Sequence, residues 1–242
     1  KKPKNLIAVT GTNGKSSVSD FYYQIMKLNK KKVASIGTLG VKSKNINLNL
    51  SNTTIDPIQL GQILKNIKNK QINNCIMEAS SHGLKQNRLD GLKFDIGIFT
   101  NLSQDHLDYH KNLNDYLKAK LYLFENLIQK KGSVITDKKI AQFKKIKKIT
   151  TRKNLKLYTL DNIENNFKII SHSFEGETQI LVVKYKNSII KVNLNLIGKI
   201  QFKNLLMAII AAKKSKLDLK KILSVLPKIK SVEGRLERIG KI

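Results

Sequence analysis

Asn5 to Ser17, NLIAVTGTNGKSS, decides the fold. Asn5 to Thr10 is a short apolar run stopped at once by Gly11, and Lys15 to Lys30 carries mixed helical spacing, so the stretch reads as strand, loop, helix. The intervening Gly11-Thr12-Asn13-Gly14-Lys15-Ser16-Ser17 lies where a phosphate-binding loop must lie. Glycines let backbone N–H groups turn toward phosphate oxygens, and the helix N-terminus adds positive potential. Lys15 can reach terminal phosphates and Ser16 can ligate Mg²⁺. The strict pattern asks for glycine where Val9 stands, so this is a shortened variant. A plain glycine-rich turn before a helix is the alternative, and Gly-Lys-Ser at the helix start after a buried strand argues against it.

Working outward, Val33 to Thr38 is a second short strand and Ile58 to Ile67 a helix. Asn73 to Ala79 and Phe94 to Thr100 read as buried strands. Asn114 to Ile128 reads as a helix with Tyr116, Leu117, Leu121, Phe124 and Leu127 in its stripe. Strands alternating with helices imply a mainly parallel sheet. Beyond Gly132 the texture changes. Ser133 to Thr136 suits one more strand, whereas Phe167 to Ile170, Gln179 to Tyr185 and Ser188 to Leu194 suit antiparallel pairing, with Lys186-Asn187 turning between the last two. Phe202 to Ala212 and Leu217 to Leu226 close the chain as helices, the second ended by Pro227. The expected fold class is α/β: a mainly parallel P-loop sheet flanked by helices, with a smaller antiparallel β portion.

The 242 residues, 40% hydrophobic, suffice for a substantial core. The longest apolar run, Leu205 to Ala212, is far too short to cross a bilayer, and no charged-then-apolar signal pattern opens the sequence. A cytoplasmic protein with no membrane association is expected. The single cysteine, Cys75, excludes a disulfide framework and a cysteine-rich zinc site. Lys and Arg number 46 against 17 Asp and Glu, a formal charge of +29 that would ordinarily mark a nucleic-acid binder. Here the lysines are spread over the whole chain, only Lys144 to Lys153 is dense, and aromatic interleaving is sparse. The joint excess of Lys, Asn and Ile reads instead as compositional drift that places lysine at solvated positions. The same field would steer a phosphate-rich small substrate inward.

GTNGKSS is the form this loop takes in Mur ligases and their folylpolyglutamate and cyanophycin synthetase relatives, and the chain resembles that superfamily. Further segments narrow the resemblance to the UDP-N-acetylmuramoyl-tripeptide synthetase (MurE) type: Ser51-Asn52-Thr53-Thr54, Met77 to Leu84 (MEASSHGL) with Gln86 and Arg88, Thr100-Asn101-Leu102, and Asp105 to His110 (DHLDYH). Tyr116 to Lys120 (YLKAK) resembles the family's lysine segment, Gly198 to Asn204 its adenine-contacting segment, and Gly234-Arg235-Leu236-Glu237 the end of its central domain. The resemblance thus covers nearly the whole chain. It implies a central ATP-binding domain over residues 1–237 and the start of a linker at 238–242, with an N-terminal UDP-binding domain and a C-terminal domain that reads the amino acid both outside this sequence. The fragment alone is then expected to be inactive as a ligase.

The activity implied is ATP- and Mg²⁺-dependent amide formation through an acyl phosphate, with a UDP-N-acetylmuramoyl dipeptide and an amino acid as partners, by a monomer. Gly11, Thr12, Asn13, Gly14, Lys15, Ser16 and Ser17 would hold the nucleotide phosphates, Asn204 the adenine and Arg235 the phosphates or ribose. Ser16 with Glu78 would hold one Mg²⁺ and His106 a second, with Lys120 as a further Mg²⁺ ligand. Glu78 also ends a buried strand, where a carboxylate is costly unless paired or bound to a cation, and ligands of open α/β sheets sit at such strand ends. Asp105 and Asp108 flank His106 and could orient its imidazole. Only the resemblance lifts Lys120 above a solvated surface lysine. The matching lysine is carbamylated (N6-carboxylysine), an anion able to hold Mg²⁺ where an ammonium repels it. Asn52, Thr53, Thr54, Ser80, Gln86 and Arg88 would hold the muramoyl peptide, Arg88 by a bidentate grip on a carboxylate or phosphate. His82, His110 and His172 receive no role. Gln201 stands where the family usually has Asn, which bears on the adenine contacts. Rival expectations are another Mur ligase or a folylpolyglutamate synthetase on the same scaffold, a basic nucleic-acid-binding NTPase, and a regulatory nucleotide-binding module.

Overall fold

The computed structural model describes residues 2–44, 46–105, 108–161, 163–176, 178–232 and 234. In chain order the elements are β1 (Asn5–Thr10), α1 (Lys15–Leu28), β2 (Val33–Gly37), β3 (Gly40–Ser43), β4 (Ile46–Leu48), α2 (Pro57–Asn69), β5 (Asn74–Glu78), α3 (Ser81–Lys85), β6 (Phe94–Phe99) and α4 (Leu113–Tyr122). A wider π-turn (Leu123–Leu127) follows, then β7 (Ile128–Thr136), α5 (Phe143–Arg152), β8 (Lys156–Thr159), β9 (Phe167–Glu175), β10 (Thr178–Tyr185), β11 (Ser188–Leu194), α6 (Gly198–Lys214) and α7 (Leu219–Val225). Eight strands form one sheet in the order β4-β3-β2-β5-β1-β6-β7-β8, and β9 to β11 form a second sheet in the order β11-β10-β9. The larger sheet is parallel from β2 to β8, the β3 and β4 edge is antiparallel, and the smaller sheet is antiparallel throughout. The α/β architecture with a small antiparallel portion agrees with the sequence expectation.

Burial on both faces explains why the central strands are continuous apolar runs. On β1, Ile7 and Val9 face one core and Leu6 and Ala8 the other, all fully buried. The first core gathers α1, α6, α7 and the inner face of the small sheet through Phe21, Ile25, Leu205, Ile209, Ile222 and Leu181. The second gathers α2, α4 and α5 through Leu60, Ile63, Ile67, Leu117 and Ile146. On α5 the dense basic patch resolves into an ordinary amphipathic helix: Ile146, Ile149 and Thr150 are buried, and Lys144, Lys145, Lys147 and Lys148 are exposed. Cys75 is buried and unpaired by any disulfide. Among the described residues no helix is long and apolar enough to cross a membrane.

The expected helix over 114–128 is a shorter one. Regular α4 stops at Tyr122, and the π-turn keeps Leu123, Phe124 and Leu127 on the buried stripe, so apolar spacing alone extends the helix too far. The strand expected at Ser133 begins at Ile128, because Phe94 pairs with Ile128 and Ile96 with Ser133, the ladder absorbing the extra residues as a bulge. The hairpin turn falls as expected: Tyr185 faces Ser188 and Lys186 takes φ 55. Strands β3, β4 and β8 and helices α3 and α5 carry no expectation from sequence.

Candidate active site

The carboxyl ends of β1, β2, β5 and β6 lie side by side, and the register sets what meets there. Val9 pairs with Glu78 and Thr10 with Phe99, so the loop leaving β1 passes between the end of β5 and Thr100-Asn101. Gly14 opens α1 with φ 87, a left-handed conformation that disfavours side chains. A Cβ at Gly14 would come within 2.5 Å of the Asn204 Oδ1, so α6 presses Asn204 directly on the loop. Asn204 in turn donates to Gln201 Oε1 at 3.1 Å, both residues buried. The loop backbone is pinned from β6: the Asn13 N–H donates to Asn101 Oδ1 at 3.0 Å, and Thr100 Oγ1 donates to the Asn13 carbonyl at 2.6 Å.

Around this loop lies a cavity of about 230 Å³ lined by Thr12, Asn13, Gly14, Lys15, Ser16, Ser17, Thr38, Thr53, Glu78 and Asp105. Glu78 is 3% exposed. Its Oε2 accepts from Ser16 Oγ at 3.1 Å and Thr38 Oγ1 at 3.2 Å, and its Oε1 accepts from the Thr38 N–H at 2.9 Å. Burial raises the Glu78 carboxyl above its ordinary range, opposed by the Thr38 N–H, the positive charge of Lys15 and the two hydroxyl donors. Room for the carboxylate comes from Gly37, where a Cβ would stand 2.3 Å from Glu78 Oε1. Gly37→Ala is therefore expected to displace the carboxylate and lower the melting temperature by several degrees, about 1–3 kcal/mol of overpacking. Thermal denaturation checks this, and an unchanged melting temperature would show that Glu78 can move aside freely.

Two lysines meet on the loop. Lys15 Nζ donates to the carbonyls of Gly11 at 3.0 Å and Thr12 at 2.9 Å. Lys120, 1% exposed on α4, donates to the same Gly11 carbonyl at 2.7 Å, and its Nζ lies 4.1 Å from the Tyr116 ring centre. Burial chiefly, with the nearby positive Lys15, pushes the Lys120 amine down from 10.5 to about 6, against a smaller upward pull from Asp105. Lys118, two residues earlier, is exposed.

The expected muramoyl-peptide residues extend from the same cleft. Thr54 Oγ1 donates to the Glu78 carbonyl at 3.1 Å and accepts from the Ser80 N–H at 2.9 Å. Ser80 caps α3 by accepting from the Gly83 N–H. Arg88 Nη1 donates to the Thr54 carbonyl at 2.7 Å, and Gln86 Nε2 donates to the Tyr109 hydroxyl at 3.2 Å. Thr53 meets Thr38 at 3.1 Å. Asn52 is exposed and donates to its neighbour Ser51 at 3.4 Å; no hydrogen bond among the described residues joins it to this network. His106 and Arg235 lie outside the described residues. Sequence reasoning missed Thr38 and Gly37 as the cradle of Glu78; the glycine ending the β2 run was their only signal. Among the described residues, no group of three His, Cys, Asp or Glu side chains stands ready to hold a metal ion.

A parallel sheet with a glycine-bounded loop, Lys15 and Ser16 between its central strand and first helix defines a P-loop α/β protein. The family model of the Mur ligase middle domain matches residues 9–212, and the chain belongs to that family. It is 38% identical over 245 residues to UDP-N-acetylmuramoyl-L-alanyl-D-glutamate--2,6-diaminopimelate ligase of Rickettsia bellii, covering 100% of this chain and 52% of the relative. The chain therefore spans about half the length of the curated relatives it matches. A solved structure of a ligase of the same description superposes with a TM-score of 0.84 at 29% identity, covering 100% of this chain and 49% of that one. A folylpolyglutamate synthetase complex with AMPPCP and folate shares the fold, with a TM-score of 0.68 at 14% identity over 94% of this chain and 63% of that one.

Proposed function

We propose that this chain is the ATP-binding part of a ligase that adds the third amino acid to UDP-N-acetylmuramoyl-L-alanyl-D-glutamate in peptidoglycan synthesis, in the cytoplasm. The observation that carries this reading is the convergence of Lys15, Ser16, Glu78 and Lys120 on one loop. The relatives' printed names supply the substrate pair, 2,6-diaminopimelate being the first amino acid to test. AMPPCP in a protein of the same fold supports ATP as the nucleotide.

A buried carboxylate hydrogen-bonded to the loop serine fits Mg²⁺, which accepts few protein carboxylates and keeps octahedral oxygen ligands. Ser16 and Glu78 would hold one Mg²⁺ and His106 a second, with carbamylated Lys120 as a further ligand, and the two cations when bound would offset phosphate charge. Lys15 would leave the Gly11 and Thr12 carbonyls for the β- and γ-phosphates, with Asn204 and Arg235 toward the adenine and ribose side. Thr53, Thr54, Ser80, Gln86 and Arg88 would seat the peptide so that its carboxylate lies in line with the γ-phosphate. The carboxylate oxygen bonds to phosphorus as ADP leaves. The incoming amine then attacks the acyl carbon, releasing phosphate and a proton. The protein's part in such phosphoryl transfer is positioning and electrostatics.

The complete protein, given ATP, Mg²⁺ and the muramoyl dipeptide, is expected to release phosphate and form tripeptide only when the correct amino acid is added. Coupled phosphate release and mass spectrometry of the product check this. Absence of tripeptide with every amino acid tried, alongside intact ATP binding, would turn the reading toward another nucleotide-dependent reaction.

A further inference from the structure

None of the roles argued above falls on His82, Lys85, Tyr109, His110, Asp115 or Tyr116, yet these side chains make a chain of contacts from α3 to α4, with His110 and Tyr116 buried within it. Tyr109 packs on α3: its ring lies 3.9 Å from the His82 ring, its hydroxyl accepts from Gln86, and the Lys85 ammonium lies 5.2 Å from its centre. His110, 1% exposed, is wedged edge-on at 5.0 Å from Tyr109 and tilted at 4.9 Å from Tyr116. Tyr116 faces the Lys120 amine and shares a hydrogen bond with the Thr12 side chain of the loop. Alongside this ladder, Lys85 Nζ of α3 meets Asp115 Oδ2 of α4 at 2.7 Å. The same oxygen accepts from the Lys111 N–H at 3.3 Å and stands 3.4 Å from His110 Nδ1. Neither ring nitrogen of His110 makes a hydrogen bond among the described residues, so ring packing, with the Asp115 carboxylate 3.4 Å from Nδ1, holds this ring in place.

We propose that the Lys85–Asp115 pair and the His82–Tyr109–His110–Tyr116 ladder form a clamp that positions Lys120 from α3, tying the segment that ends in Gln86 and Arg88 to the phosphate loop. These are positioning residues, acting on the amine through α4 and Tyr116. The inference rests on the ligase reading and on modification of Lys120. Its physical basis is leverage: Lys120 reaches Gly11 from a helix that ends two residues later, at Tyr122, in a π-turn, so contacts at the start of α4 fix where its amine lies. Seating a peptide against Gln86 and Arg88 would tighten the ladder and hold Lys120 where its carbamate is retained.

The test uses the complete protein with Asp115→Asn and Lys85→Met, substitutions at positions whose side chains are 30% and 35% exposed and so tolerable to folding. Each is expected to raise the bicarbonate concentration for half-maximal ligation about tenfold, with the KM for ATP within about twofold and activity restored at saturating bicarbonate. The carbon-13 carbamate signal from labelled bicarbonate should weaken in parallel without substrate present. The double variant should be no worse than Asp115→Asn alone, since Lys85 acts through Asp115. Unchanged bicarbonate dependence and carbamate signal in both variants, with Lys120→Ala inactive, would overturn the clamp alone. Full activity of Lys120→Ala would overturn the clamp together with the modification on which it rests.

Discussion

Lys15→Ala and Glu78→Ala in the complete protein are each expected to lower ligation by at least about 10²–10³-fold, the scale set by losing one preorganised charge-stabilising group from a transition state. The two losses should differ in kind. Lys15 sits at the loop with its ammonium held by two carbonyls, and it would serve the transferring phosphoryl most when charge develops, so kcat should fall more than KM for ATP rises. Glu78 is built into the wall by Ser16 and Thr38, and its removal should raise the Mg²⁺ concentration needed for activity. Steady-state kinetics against ATP and Mg²⁺ separate these effects. Turnover by either variant within tenfold of the parent would remove the phosphate-and-metal assignment.

The Glu78 substitution carries a second signature. Because burial raises its folded carboxyl above the ordinary 4.5, the folded state keeps a proton that the unfolded state has lost, and stability falls as pH rises from 4.5 through that raised value. Glu78→Gln cannot ionise, so the ligand-free variant should lack this fall and melt no lower than the parent at neutral pH. An inactive variant of undiminished stability would distinguish a functional carboxylate from a structural one.

What the sequence made legible follows from how local each signal is. The β1 run, the loop and α1 occupy one continuous stretch whose pattern needs no tertiary information, and Glu78 stands out as a carboxylate ending an apolar strand. The Gly37–Thr38 cradle does not stand out, because it exists only once β2 and β5 are paired in register. The burial of Lys120 is likewise invisible locally: YLKAK has the texture of a solvated helix, and the amine becomes buried by meeting a carbonyl 109 residues earlier. Helix α5 was hidden by composition, since its Phe143, Ile146 and Ile149 spacing is drowned by lysines on the solvent side. The β3–β4 edge is short and partly polar, leaving too little periodicity to read. The π-turn at 123–127 keeps helical burial while breaking helical hydrogen bonding, which apolar spacing cannot distinguish.

Lys120→Met is expected to abolish ligation in the complete protein while raising the stability of the ligand-free chain in bicarbonate-free buffer. A lysine held at about 6, against 10.5 when unfolded, binds fewer protons folded than unfolded throughout that interval. Parent stability therefore increases with pH from about 6 to 10.5, and the full burial penalty is present below 6. Methionine removes the penalty and the Gly11 hydrogen bond together, so its advantage should reach a few kcal/mol below pH 6 and shrink toward pH 10. The carbamate proposed for Lys120 gives such a buried amine a chemical use that offsets its cost to stability. Above pH 6 it is neutral, its lone pair can attack the carbon of CO₂, and the proton released goes to solvent, leaving a carbamate. Parent activity in limiting bicarbonate should accordingly rise as pH passes through 6, and Lys120→Arg, permanently charged, should be as inactive as the methionine variant. Chemical denaturation across pH, paired with crystallography of the parent at high bicarbonate, reads both halves. A methionine variant that loses stability at pH 5 would refute the burial penalty, and an unmodified Lys120 beside bound metal would refute the carbamate.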